Sequence, residues 1–262
     1  MTPLETILLL LIFFFTSVIG VVTGANSLIT IPVMLQFGID PRVATATNML
    51  ALTFMSIGGA LPFVGKNVFD RKRLPLFIVL TLLASAIGAW LVTLVPAEAM
   101  SFLIAFFMLG VAIFVILNRR AGVTPVEHVS RGAAFTGYLM TFLLGVYGGF
   151  FSGGYVTMLT SAFVALFGMT FMQAVATTKV INFFSSLVAT AVYVWAGLID
   201  WPLGLALSAI MFVGAILGGR LALKLDNEVV RKVFLVVVVL LALKTLLFDL
   251  QWGVLFRLLG LN

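Results

Sequence analysis

Apolar runs of membrane-spanning length, parted by short basic or glycine-rich breaks, recur from Leu4 to Leu247 and constrain this chain more than any other feature. A helix crossing a bilayer needs roughly 20 mostly apolar residues. Backbone in lipid must satisfy its own hydrogen bonds, which a helix does within one segment. Only 9% of the 262 residues are charged and 63% are hydrophobic, where a soluble domain carries about 25% charged. The implied fold is an all-α polytopic membrane protein with no soluble domain. The opening, Met1 to Leu10, carries Glu5 and no Lys or Arg. A cleavable signal peptide opens on a basic stretch, so the first apolar run reads as a retained membrane segment.

The breakers divide the runs. A first region from Leu4 to Phe37 is interrupted at Thr23-Gly24-Ala25-Asn26-Ser27, and helices are expected at about 41–64, 74–95 and 98–118. A polar linker at 119–131 holds Glu127 and His128, the latter read as a solvated loop histidine. A second interrupted region runs from Gly132 to Gly168, followed by helices at about 171–195, 203–224 and 229–248 and a tail at 249–262. The layout is that of two repeats, 1–118 and 132–248.

Polar and glycine positions align the two. With an offset of 130, Gly38, Thr47, Asp70, Gly88 and Glu98 fall on Gly168, Thr177, Asp200, Gly218 and Glu228. With 129, Gly20 and Gly24 fall on Gly149 and Gly153. Such self-similarity is the mark of an internal duplication.

Charge sets the expected orientation. If each interrupted region enters and returns, as a re-entrant or broken hairpin, then Lys66, Arg71, Lys72, Arg73, Arg119, Arg120, Arg131, Arg220, Lys224, Arg231 and Lys232 share one face. They are eleven of the fifteen Lys and Arg residues. Basic loops stay cytoplasmic, so the net charge of +6 implies a multi-pass plasma-membrane protein and no nucleic-acid partner. Each repeat then holds one hairpin plus three crossings, an odd count that inverts the halves. Inverted halves with broken helices are a transporter architecture.

The breaks carry the chemistry. Non-helical backbone at membrane depth is tolerated where it lines protein or a water-filled cavity. A helix restarting at Asn26 or Ser27 aims free N–H groups and a positive dipole end inward, which suits an anion; Ser152, Gly153, Gly154 and Tyr155 offer the same device. Close glycine packing is the plainer account of either break alone. Lys179 lies about 13 Å into its helix, and all nine acids sit near segment ends. A lysine at that depth is a functional candidate, with the substrate as its expected counter-ion, unless its ammonium reaches up to the interface or the amine is neutral when the site is empty. Asn48 and Asn182 serve either as ligands or as helix–helix hydrogen bonds, and Asp70 and Asp200 read as helix caps. The expected substrate-binding set adds Ala25, Thr47, Thr177 and Thr178 to Gly24, Asn26, Ser27, Asn48, Asn182, Lys179 and the second break.

Gly20-x-x-x-Gly24 to Pro32 with Ala44-Thr45-Ala46-Thr47, and Gly149-x-x-x-Gly153-Gly154 with Ala174-Val175-Ala176-Thr177, resemble the sulfite exporter TauE/SafE family. So do Asn67-Val68-Phe69-Asp70, Gly197-Leu198-Ile199-Asp200, Gly88 and Gly214 to Gly219. The resemblance covers about Leu8 to Leu247. It implies transport of sulfite, organosulfonates or related small anions across a bacterial inner membrane. At the first break Gly24-Ala25-Asn26-Ser27 replaces the family's glycine cluster, so a particular substrate does not carry over. An anion facilitator remains open, as does a homodimer. A Lys179–Ser152 hydrolase is the alternative from another class, since such chemistry needs a base within reach of the serine. No cofactor or metal is called for, and with no cysteine there is no disulfide or thiol chemistry.

Overall fold

The computed structural model describes residues 3–66, 68–117 and 129–224 together with Lys232. Most of the linker (118–128), Asn67, and the expected last helix and tail at 229–262, apart from Lys232, lie outside the described residues, as do Asp226, Glu228 and Arg231.

Nine α-helices and no strand occur among the described residues: α1 Pro3–Thr23, α2 Ser27–Gln36, α3 Pro41–Ala60, α4 Leu74–Leu94, α5 Ala97–Leu117, α6 Arg131–Phe150, α7 Tyr155–Phe167, α8 Phe171–Trp195 and α9 Trp201–Lys224. Six of them, α1, α3, α4, α6, α8 and α9, are long and apolar enough to cross a membrane, while α2 and α7 are shorter. The chain is therefore a polytopic α-helical membrane protein.

Each helix starts where its sequence says. Pro41 opens α3 with Asp40 accepting from the Arg42 and Val43 amides. At α8, Thr170 and Gln173 form a reciprocal capping box, which satisfies two first-turn donors. Gly38 and Gly168, at φ of 77° and 67°, turn the chain from the short helices into α3 and α8 in a region open to glycine.

The helices α3 and α8 form the centre, packed on each other, on α9 and on α4 respectively. Around them α1 packs on α9 and α6 on α4. Exchanging the two halves maps this set of neighbours onto itself. The outer helices turn Leu11, Phe15, Leu83, Trp90, Leu139, Leu143 and Leu205 outward, as a lipid-facing surface requires.

Direction follows from two hydrogen bonds. The Asp200 amide, in the turn after α8, donates to Thr47 Oγ1 at 3.1 Å, on the seventh residue of α3. The Asp70 amide, in the turn after α3, donates to Thr177 Oγ1 at 3.5 Å, on the seventh residue of α8. Each helix thus ends where the other begins, so α3 and α8 run antiparallel. Asp200 also caps the next helix through the Leu203 amide, while Asp70 accepts from the Arg73 amide in the turn just before α4. Thr47→Val leaves a buried-side amide without its acceptor and is expected to lower stability by about 1 kcal/mol. Thr177→Val, acting on the longer bond, should cost less. Thermal unfolding of both variants in detergent checks the order.

The second interrupted region is a hairpin. The Phe167 ring, at the end of α7, lies 5.2 Å from the Tyr138 ring near the start of α6, so α7 returns toward the end from which α6 entered. Phe77 and Phe163 stack on the same cluster at 4.5 Å, and the Arg73 guanidinium sits 5.3 Å above the Phe167 ring.

Candidate functional site

Both expected breaks exist. α1 stops at Thr23, Gly24 turns at φ 68°, and α2 restarts at Ser27 after Asn26. α6 stops at Phe150, and α7 restarts at Tyr155 after Gly154 at φ 75°. Ser152 stands at φ 59° and is the only non-glycine residue with positive φ among those described. A serine held there stores on the order of 1 kcal/mol of strain, and such residues gather at functional sites.

The breaks meet. Ser27 Oγ and Ser152 Oγ are 2.7 Å apart, and Thr157 Oγ1 donates to the Thr23 carbonyl at 2.7 Å. Asn48 holds the first break from behind: its Nδ2 donates to Ser27 Oγ at 2.9 Å and its Oδ1 accepts from Thr30 Oγ1 at 2.8 Å. In the other half Thr160 and Thr178 make the equivalent contact at 3.4 Å.

Lys179, the ninth residue of α8, is 2% exposed. Its Nζ donates to the Gly20 carbonyl at 3.0 Å. That carbonyl also accepts from the Gly24 amide at 2.9 Å. It belongs to the last turn of α1, at the negative end of the helix dipole. The ammonium therefore stays at depth, and the structure gives it a counter-dipole where the sequence offered only a substrate. It does not reach up to the interface.

A small cavity opens beside this contact, with room for about one water molecule. Gly20, Gly24, Asn26 and Ser27 line it from the first break, and Ser152 and Val156 from the second. Leu52 and Met55 face it from α3, and Lys179 and Asn182 from α8. Asn182 Nδ2 donates to Ser56 Oγ at 2.6 Å. The Asn26 amide is poorly satisfied: its Nδ2 reaches only Met55 Sδ at 3.2 Å, and its Oδ1 has no partner among the described residues. The cavity thus offers one lysine amine and several hydroxyl and amide groups, with no acidic side chain among the described residues that line it.

Of the fourteen residues expected at the site, Gly24, Asn26, Ser27, Ser152, Lys179 and Asn182 line the cavity. Asn48 buttresses it. Ala25 is buried within the first break, and the Gly153 carbonyl accepts from Tyr147 Oη. Gly154 packs on Val111, and the Tyr155 ring lies under Gly148. Thr178 bonds to the Val175 carbonyl at 3.0 Å. Thr47 and Thr177 stand at the turns described above, one helix face away. Sequence reasoning missed Leu52, Met55 and Val156, which carry no signal in an apolar helix, and it left out Gly20 although its motif was in view.

Residues 9–245 match a family model described as sulfite exporter TauE/SafE. Among curated proteins, probable membrane transporter protein ORF9 of Sinorhizobium is 29% identical over 235 residues, covering 89% of each chain. A probable membrane transporter protein of Haemophilus influenzae is 26% identical over 239 residues, 91% of this chain and 93% of its own. The probable membrane transporter protein YfcA of Escherichia coli K12 is 27% identical over 259 residues, 97% of this chain and 96% of its own. No solved structure matches the chain.

Proposed function

Because the chain belongs to the sulfite exporter TauE/SafE family of membrane transporters, we propose that it carries a small oxyanion, sulfite or an organosulfonate, by alternating access at the cavity between its two breaks. The observation that carries this reading is Lys179: a buried lysine facing a cavity that no carboxylate lines among the described residues. A buried cation needs a partner, and the Gly20 carbonyl supplies only a partial charge. An anion entering the cavity completes the pair.

Two further observations support the mechanism. The antiparallel α3 and α8, with neighbours that exchange between halves, support inverted repeats rocking against each other. The cavity has room for about one water molecule, less than an oxyanion needs, which supports a carrier whose halves part to admit the substrate. Orientation follows from charge. Arg73 lies over Phe167 near the start of α6 at Arg131, and Gly219 packs on Pro62, which brings Arg220 beside the 64–73 turn. These basic residues gather at one end, which is cytoplasmic in a bacterial inner membrane by the positive-inside rule. The transport reading is favoured over the hydrolase alternative because Lys179 Nζ bonds to the Gly20 carbonyl and Ser152 Oγ to Ser27 Oγ, with no hydrogen bond between Lys179 and Ser152 among the described residues.

Proteoliposomes holding the purified protein and loaded with unlabelled sulfite or ethanesulfonate are expected to accumulate the same labelled anion from outside, above protein-free vesicles. No accumulation of either anion would remove transport of this class from consideration.

A further inference from the structure

The two ends of the helix bundle differ in charge. Arg131, Arg220 and the basic residues of the 66–73 turn gather at one end, as described above. Asp40 and Asp200 stand at the other, where α3 begins and α8 ends. Helix α4 crosses to that same end, which places Glu98 there in the first turn of α5. Arg42 is the one basic residue at this acidic end among the described residues of the nine helices and their turns. We propose that Arg42 is the outer docking point of the carried anion, met on the side away from the basic loops before the cavity is reached. The proposal rests on the transport reading and adds a binding residue to it.

Successive helical residues turn by about 100°, so Met49 and Thr53 fall within about 20° of Arg42 on one stripe of α3. That stripe faces α8, since Thr53 Oγ1 lies 3.3 Å from Thr190 Oγ1. Ser56, beside the stripe, accepts from Asn182, which lines the cavity. Arg42 therefore marks the outer end of the seam between the two halves. A cavity-lining side chain stands on the same seam about four turns further in.

The guanidinium is loosely held. Arg42 Nε is shut from water and has no hydrogen-bond partner among the described residues. Its nearest acid is Asp40, with Oδ1 3.8 Å away. That oxygen already accepts the Arg42 and Val43 amides as the cap of α3. An unmatched buried donor is costly, and a guanidinium matches an oxyanion with two parallel hydrogen bonds. The side chain is 35% exposed, within reach of an arriving anion.

Arg42 and Asp40 act in opposite senses if charge at this mouth draws the anion, and in the same sense if they only brace α3. The test is initial uptake into proteoliposomes of the intact chain, at low ionic strength, of whichever labelled anion the wild type accumulates, sulfite or ethanesulfonate. At sub-saturating anion, Arg42→Gln should lower uptake by about tenfold, and Arg42→Lys should stay near wild type. Asp40→Asn should raise uptake by roughly twofold, because asparagine caps a helix as well as aspartate does. High salt should close these differences by screening. Wild-type uptake by Arg42→Gln overturns the proposal, and so does a fall in both Arg42→Gln and Asp40→Asn. If Arg42→Gln does not fold, the rise in Asp40→Asn, or its lack, decides alone. Uptake of neither anion by the wild type overturns the transport reading and this proposal with it.

Discussion

Lys179→Met is expected to reduce anion exchange by at least a hundredfold while leaving a folded, extractable protein. The choice of methionine comes from the molecule: Met49, the residue at the matching position of the first half, is itself 1% exposed at the same depth of α3. The packing of such a site therefore accepts a thioether of that length. Truncating one partner of a buried charged contact costs about 2–5 kcal/mol in binding, and each 1.4 kcal/mol is about tenfold. Folding should suffer little. A buried ammonium is costly to desolvate, and replacing it with an apolar chain of similar volume is often neutral or stabilising. Initial exchange rates at equal protein per vesicle, read beside the thermal unfolding midpoint, decide the matter. Wild-type exchange by a well-folded variant would take Lys179 out of the mechanism.

Gly88→Ala and Gly218→Ala are expected to be the most damaging single methyl additions, and to be damaging for the same reason. A Cβ built on Gly88 meets the Val146 carbonyl oxygen at 2.0 Å, where α4 crosses α6. One built on Gly218 meets the Val18 carbonyl oxygen at 2.1 Å, where α9 crosses α1. Both obstacles are backbone, so a whole helix must shift. Overpacking of this kind costs about 1–3 kcal/mol and at times more, and close helix approach in membranes depends on small residues. Gly110 of α5 is the control: nothing among the described residues lies within 4 Å of its added Cβ, so Gly110→Ala should be neutral or slightly stabilising through helix propensity. If all three variants unfold at one temperature in detergent, the two crossings are not as close as described.

How much of this was legible beforehand depends on what kind of atom carries each feature. Helix spans follow from apolar length and from breakers such as Pro41, Thr170 and Gly168, so α8 falls on the expected 171–195. Both breaks announced themselves through clustered glycine and small polar residues at membrane depth. The lining of the cavity was only partly legible. Consecutive helical residues stand about 100° apart, so Thr177, Thr178 and Lys179 cannot all face one point. Only Lys179 reaches the cavity, and Thr177 turns to the Asp70 amide. The same rotation separates Asn48 from Thr47. Residue identity cannot reveal a backbone acceptor, which is why the Gly20 carbonyl came as a structural finding. Nor does a leucine or methionine in an apolar helix declare that it walls a site.

That the resting partner of the ammonium is a main-chain oxygen has a consequence for control. A peptide carbonyl takes up no proton at any pH a cell meets, and no codon change at position 20 deletes it. Acidifying either compartment therefore cannot loosen the tether from the α1 side. Any tuning of this contact by acid, or by a point substitution that removes a partner outright, has to act through position 179.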